Sequence, residues 1–351
     1  MKYVVILGGS YAGVSTAHRL LKQSAKTGAF KITLVSQDTD FYWNMASVRG
    51  LVPAGFIKYP ASQFEFVHAS AQAMDVDAKV VTLSGKRTLQ YDFLVLATGS
   101  RTRDMTPFKS LGSTEATKTA VHVFQKQVKA AKTIVVAGAG FTGVEMVGEL
   151  GYEYGEGKQT TLLASGPNVL TTCPASVSNL ALKELEKLKV DVKLQTKVTA
   201  SAQLPDGQQE LILSTGETLL ADMYIPTFGL DPNSYYVPTK FLSSNKAVVV
   251  DAHLKVKGAE DVWAIGDVSD VEGSQFITCD KQSAYLAKAL ATTLNGKAPV
   301  PYKVNTTRFQ IGKKAGTGYY GNIRLPSFLV VHLRKNLSLQ NLRPTIDGTI
   351  F

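Results

Sequence analysis

Cysteine is nearly absent from this sequence: Cys173 and Cys279 are the only two in 351 residues, and they stand far apart. Without a Cys-x-x-Cys pair there is no dithiol to take up electrons, which argues against a disulfide reductase. Each thiol is read most simply as a small apolar side chain. Long apolar runs are also missing. No stretch approaches the roughly 20 residues that a membrane-spanning helix needs. The first strand-like run starts at Tyr3, leaving no room for a leader, and Met1-Lys2 offers no glycine for myristoylation, so a cytoplasmic location is the expectation. Acid is scarce at one end. From Pro301 onward Lys303, Arg308, Lys313, Lys314, Arg324, Arg334, Lys335 and Arg343 face one acid, Asp347, so most of the net +10 lies there. Such asymmetry points to an anionic partner, either a membrane surface contacted peripherally or nucleic acid, with a solvated basic face as the plain alternative.

Glycine is present where it has a mechanical meaning. Tyr3-Val4-Val5-Ile6-Leu7 runs into Gly8-Gly9-Ser10-Tyr11-Ala12-Gly13, and Thr133-Ile134-Val135-Val136-Ala137 runs into Gly138-Ala139-Gly140-Phe141-Thr142-Gly143. Each is followed by a helix-forming stretch, Val14 to Leu21 and Val144 to Leu150, the strand–turn–helix context of a dinucleotide fingerprint. The pyrophosphate would lie at the helix N-terminus, where backbone N–H groups and the dipole favour an anion and the glycines admit close approach. The first copy has Ser10 in place of the middle glycine; the second has all three. The acid expected at the end of each second strand, to bind ribose hydroxyls, is missing. Ser36 follows Lys31 to Val35, with Asp38 just beyond, and Ala164 and Ser165 follow Thr160 to Leu163, which leaves NADH or NADPH open. Two dinucleotides on one chain indicate a flavoprotein reductase.

The pattern continues with short strands near Met74-Asp75 and Val80 to Leu83, a buried strand Phe93 to Leu96 and Ala97-Thr98-Gly99-Ser100. A helix over Val121–Ala130 leads into the second fingerprint; beyond it come a helix over Ser176–Leu188 and strands at Val192–Leu194, Leu211–Leu213 and Met223–Ile225. Ala247 to Asp251 and Val262 to Gly266-Asp267 again read as strands, before a helix over Gln282–Leu294. With no low-complexity linker, the chain is expected to leave a first domain, build a second and return. A ligand in a doubly wound sheet sits beyond the carboxyl ends of the strands, which places Gly99 and Gly266-Asp267 beside it.

Both fingerprints, Ala97-Thr98-Gly99 and Ala264-Ile265-Gly266-Asp267, in this order, resemble the two-dinucleotide-binding-domain flavoproteins. Phe41-Tyr42-Trp43-Asn44-Met45-Ala46-Ser47-Val48-Arg49, Gly143-Val144-Glu145-Met146 and Ile311-Gly312-Lys313-Lys314-Ala315-Gly316-Thr317-Gly318 narrow the likeness to the apoptosis-inducing-factor-like branch, the AMID or ferroptosis-suppressor type related to type II NADH dehydrogenases. The resemblance runs over essentially the whole chain. It implies an α/β fold of two Rossmann-like domains, glutathione-reductase-like, plus a small C-terminal domain. The FAD-binding domain would span 1–105 and 245–300, the NAD(P)H-binding domain 106–244, and a basic C-terminal domain 301–351. FAD would be held by Gly8 to Gly13, Arg49, backbone near Ala71, Thr98-Gly99, and Asp267 on the ribityl chain. NADH or NADPH would use Gly138, Gly140 and Gly143, with Glu145 near the nicotinamide. No metal is implied.

The residues bear on several of these roles by themselves. Arg49 suits a pyrophosphate oxygen or a structural ion pair. Asp267 follows a buried strand, where an unpaired carboxylate is costly, so a sugar hydroxyl or a helix cap should engage it. Glu145 falls in a first helical turn, which favours an acid in any case. Lys281 and Gln282 are candidates for the substrate side or ordinary helix surface. The reading is a FAD-dependent NAD(P)H oxidoreductase that passes electrons to a quinone-like or other small acceptor. Ser327 to Leu337 mixes apolar residues and cations as bilayer-surface segments do, or as a packed helix does. Two alternatives remain open: a flavin oxidase or monooxygenase that uses dioxygen, and an NADH-responsive protein that binds nucleic acid or a partner.

Overall fold

The structure, a computed structural model, describes residues 1–25, 28–44, 47, 56–58, 64–304, 308–311, 316–320, 323–324 and 341–351. Arg49, the stretch 327–337 and the tail cations Lys313, Lys314, Arg334 and Lys335 lie outside the described residues.

Runs of Val, Ile and Leu become central strands because helices cover both faces of a parallel sheet. Val4 to Leu7 are all buried in the strand Lys2–Leu7, whose first two residues are exposed. That strand pairs in parallel with Phe30–Ser36 on one side and Phe93–Leu96 on the other. Glu65–His68 and Val262–Ala264 complete the sheet, in the order Val262–Ala264, Phe93–Leu96, Lys2–Leu7, Phe30–Ser36, Glu65–His68. A second parallel sheet runs Asp191–Lys193, Gln159–Leu163, Thr133–Ala137, Met223–Pro226. Among the described residues the α-helices are α1 (Tyr11–Ser24), α2 (Thr114–Ala130), α3 (Phe141–Tyr154), α4 (Ala175–Lys187), α5 (Phe276–Leu294) and the short α6 (Leu342–Ile346). This is the expected α/β arrangement of two Rossmann-like units. An antiparallel pair, Ser100–Thr102 with Leu230–Pro232, forms where the chain passes from one sheet to the other and back. Beyond residue 300, Arg308–Ile311, Gly316–Tyr320 and Ile323–Arg324 form an antiparallel sheet beside α3 and α4.

Three elements differ from the sequence reading. Helix α2 begins at Thr114 rather than Val121: Ser113 caps it, its hydroxyl accepting the Ala116 N–H at 3.2 Å, with Glu115 in the first turn. The apolar period that signals the helix begins only at Val121, so the polar first turns were invisible. Helix α5 begins at Phe276, not Gln282. Phe276-Ile277-Thr278 has strand character locally, and tertiary packing overrides it: Ser283 donates to Cys279 O at 2.8 Å and to Ala12 O at 3.1 Å, seating α5 on α1. Ala247 to Asp251 makes only isolated bridges, Val248 with Leu242 and Ser269 and Val250 with Val256. Ala247, Val248 and Val250 are buried without joining a sheet.

The residues after α6 also pack on α1. His18 Nε2 donates to Ile346 O at 2.8 Å, Lys22 Nζ donates to the Phe351 carbonyl, and a Cβ on Gly348 (φ +80°) would come within 2.5 Å of His18 Nδ1. Burial pushes the His18 imidazole below its ordinary pKa, favouring the neutral ring in this contact.

Candidate active site

The first fingerprint closes on itself tightly. Gly8 has φ +118°, and a Cβ there would lie 2.2 Å from Ala97 O; one on Gly13 would lie 1.9 Å from Gly8 O. Gly8 N–H donates to Val35 O at 2.8 Å, tying the turn to the neighbouring strand. Helix α1 then starts at Ser10, an N-cap with no side-chain cap bond and no acid in the first turn, so its positive end suits an anion. The second fingerprint repeats the design. A Cβ on Gly143 would lie 1.8 Å from Gly138 O, and Thr227 Oγ1, donating to Gly138 O at 2.9 Å, fills the space a Cβ on Gly138 would need. Gly140 has open space around it.

The first turn and the start of α3 face one cavity of about 340 Å³. Its wall takes Gly8 to Ala12, Ser36 to Asp38, Ala69 to Ala71, Ala97 to Ser100 and Gly266-Asp267 from one unit, and Phe141, Thr142, Glu145 and Pro226 to Phe228 from the other. Of the residues expected from sequence, Gly8, Gly9, Ser10, Tyr11, Ala12, Ala71, Thr98, Gly99, Glu145 and Asp267 meet here. Gly13, Gly138, Gly140, Gly143 and Gln282 are outside this lining. Gln282 is 1% exposed; its Oε1 accepts the Gly266 N–H at 2.7 Å and its Nε2 donates to Glu272 at 3.0 Å, so it holds the Gly266 turn from behind. Thr98 and Gly99 clasp the other crossover: Thr98 Oγ1 donates to Asn233 O at 2.7 Å and Asn233 N–H to Gly99 O at 2.9 Å.

Asp267 already has a protein partner. Lys109 Nζ lies 2.7 Å from its carboxylate, and Ser100 Oγ donates to the same oxygen at 2.8 Å. Burial works to raise this carboxyl, and the Lys109 ammonium overrides it and holds the pKa below the ordinary carboxylate value. Lys109, lying in the irregular Thr106–Gly112 stretch, was missed from the sequence, since only the fold brings it to Asp267. Asp38 stands just beyond Ser36, which holds the usual position of the acid. It lines the cavity, and its carboxylate accepts the Ser110 hydroxyl at 2.8 and 3.0 Å. Tyr11 packs against Phe276, the rings tilted at 57° with centroids 4.2 Å apart, and donates its hydroxyl to Asp280 at 2.8 Å. Burial and then the Asp280 carboxylate push this hydroxyl above its ordinary pKa, so it remains a donor.

Cys279 is the one cysteine in the wall. Burial, followed by the Asp267 carboxylate, raises its thiol far above the ordinary value. Cys279 is therefore expected to resist maleimide at pH 7.5 while the FAD-free protein is folded and to react on unfolding in urea. Mass spectrometry of the labelled peptides reads both states, and rapid labelling of Cys279 in the folded protein would show a reactive thiolate.

The arrangement brings the first glycine turn, the first turn of α3 and the carboxylates of Asp38 and Asp267 onto one space. A comparison with known proteins agrees with it: the chain belongs to the pyridine nucleotide-disulphide oxidoreductases, whose family model matches residues 2–289. It is an NAD(P)H-dependent flavin oxidoreductase of the apoptosis-inducing-factor-like type, with FAD and NAD(P)H as cofactors. Among its relatives, the oxidoreductase ptaL of Pestalotiopsis fici is 51% identical across 100% of both chains. Ferroptosis suppressor protein 1 of Homo sapiens is 28% identical over 96% of this chain and 93% of its own. The sulfide:quinone oxidoreductase of Aquifex aeolicus shares the fold, with a TM-score of 0.80 at 17% identity, covering 99% of this chain and 92% of that one. Among the described residues no helix is long and apolar enough to cross a membrane.

Proposed function

We propose that this oxidoreductase delivers its electrons to a quinone-like acceptor. The observation that carries the reading is the wall of the shared cavity. It offers an aromatic surface, Tyr11 against Phe276, and its single cysteine is held protonated, so no protein dithiol stands between flavin and acceptor. FAD, when bound, supplies the ring that accepts hydride and gives up electrons. The chain's part is holding and orienting. Gly8 to Gly13 and Arg49 take the FAD pyrophosphate, Asp38 the ribose hydroxyls, Asp267 with Lys109 the ribityl chain, and Ala71 and Thr98-Gly99 shape the wall. Gly138, Gly140 and Gly143 take the NAD(P)H pyrophosphate, and Glu145 positions the nicotinamide. Gln282 fixes the Gly266 turn. In this reading 1–105 with 245–300 binds FAD, 106–244 binds NAD(P)H, and the basic 301–351 segment meets an anionic bilayer, in which quinones dissolve.

The experiment separates donor from acceptor. NADH and NADPH should each bleach the flavin anaerobically, with apparent Kd values within about tenfold, an energy difference of about 1.4 kcal/mol. Neither buried Ala164 nor exposed Ser165 repels a 2′-phosphate, so Ser165→Asp should weaken NADPH and spare NADH. Reoxidation by a soluble benzoquinone should be faster than by air-saturated buffer. Preferential reoxidation by dioxygen would replace the quinone reading with an oxidase.

A further inference from the structure

We infer that Phe351 is a positioning residue for the aromatic wall that receives the acceptor. The inference rests on the acceptor reading above, and the wall's geometry supplies the rest. Tyr11 is held on three sides of its ring: Phe276 at 4.2 Å, Trp43 edge-on at 6.2 Å and Phe351 edge-on at 6.3 Å. Its hydroxyl is fixed by Asp280 Oδ1 at 2.8 Å, and the same oxygen receives Arg19 at 2.6 Å. Arg19 is in turn held from the far side, its guanidinium carbon 4.8 Å from the centre of the Phe351 ring. Phe351 thus touches Tyr11 directly and also steadies the cation that orients the Tyr11 hydroxyl's partner. His18 stacks on Phe351 with centroids 5.9 Å apart and an interplanar angle of 24°, while Lys22 holds the Phe351 carbonyl. The brace is built from three consecutive turns of α1, and α1 is the helix whose first turn lines the cofactor cavity.

A planar acceptor stacks well only on a wall whose rings are held in one orientation, because a freely rotating Tyr11 must be ordered at each binding event. Loss of the Phe351 ring should therefore weaken acceptor binding and leave flavin loading alone. The close glycine approaches of the cradle, Gly8 to Ala97 and Gly13 to Gly8, do not involve Phe351.

The test uses the full-length holoprotein as Phe351→Ala and Phe351→Tyr, with Arg19→Gln as a second route to the same wall. KM for a soluble benzoquinone should rise about tenfold in Phe351→Ala, with kcat, FAD content and the anaerobic rate of reduction by NADH within twofold of the parent. Phe351→Tyr should restore KM, and Arg19→Gln should resemble Phe351→Ala. The wall also has its own reporter. The chain has two tryptophans, Trp43 and Trp263, so in a Trp263→Phe background the emission is that of Trp43 and should shift in Phe351→Ala. An unchanged KM with quinone turnover intact, or FAD loss in parallel with the KM change, would overturn the inference. If the parent protein reduces no quinone, the acceptor reading fails by itself; the Trp43 shift would still support the brace, and its absence would overturn it.

Discussion

Gly8→Val should yield a colourless protein, while Gly140→Val should stay yellow and no longer be reduced by NADH. The two glycines occupy matching turns with opposite surroundings. At Gly8 the backbone has φ +118° and a Cβ would sit 2.2 Å from Ala97 O, so any side chain meets both backbone strain and a fixed carbonyl. Such strain alone costs about 1–3 kcal/mol, up to roughly 100-fold in Kd, before the contact is counted. FAD released by heating and measured by absorbance should fall at least that much at limiting FAD. Gly8→Ala, smaller but equally strained, should fall less far in the same direction. At Gly140 a Cβ meets nothing within 4 Å, so the protein should keep its fold and its FAD. The branched side chain would occupy the space through which a pyrophosphate approaches the N-terminus of α3. Anaerobic bleaching at the parental rate in Gly140→Val would leave the second turn a structural element only.

The second large effect concerns Lys109 and Asp267. Their side chains are 21% and 8% exposed, so removing one strands the other charge away from water. Breaking a buried pair in this way costs about 3–5 kcal/mol. Asp267→Leu in the FAD-free protein should lose stability on that scale, and Asp267→Leu with Lys109→Met should lose less than Asp267→Leu alone. Burial works to lower the Lys109 ammonium, yet Asp267 holds it above its ordinary value; Asp267 itself is held below. A depressed carboxyl stabilises above its unfolded pKa and loses that contribution as pH falls through its folded value. A raised ammonium stabilises below its unfolded pKa and loses the contribution as pH rises through its folded value. The gap between Asp267→Leu and parent in urea midpoint should thus be flat between about pH 5 and pH 9 and narrow toward either extreme. A gap that widens in acid, or a double variant as weak as Asp267→Leu alone, would refute a stabilising pair.

The architecture was legible because its signals are local. Apolar runs bounded by glycines gave the parallel strands, and the two Gly-x-x-x-x-Gly turns sat where those strands end. What escaped was non-local. Lys109 lies in a stretch with no periodicity, and only the closing of the Ser100–Thr102 crossover brings it to Asp267. Phe276 to Lys281 fell outside the helix read over Gln282–Leu294, and the packing of α5 on α1 draws them in. Asp38 was displaced by two places from the usual acid, and its entry into the cavity depends on Ser36, whose hydroxyl accepts the Asp38 N–H at 3.1 Å and shapes that turn. Phe351 had no sequence signal at all, since its ring meets residues more than three hundred positions earlier.

The strand Val262–Ala264 fixes the order in which the molecule can be completed. It pairs with Phe93–Leu96, and everything from Thr133 to Pro226, the whole of the second parallel sheet, is synthesised between the two. The second sheet can close while the nascent chain still lacks Val262, but Phe93–Leu96, buried at all four positions in the finished molecule, must wait with an open apolar edge. The Gly266 turn and the Gln282 that holds it emerge later still. Of the two units, the one begun earlier is therefore the later to be finished.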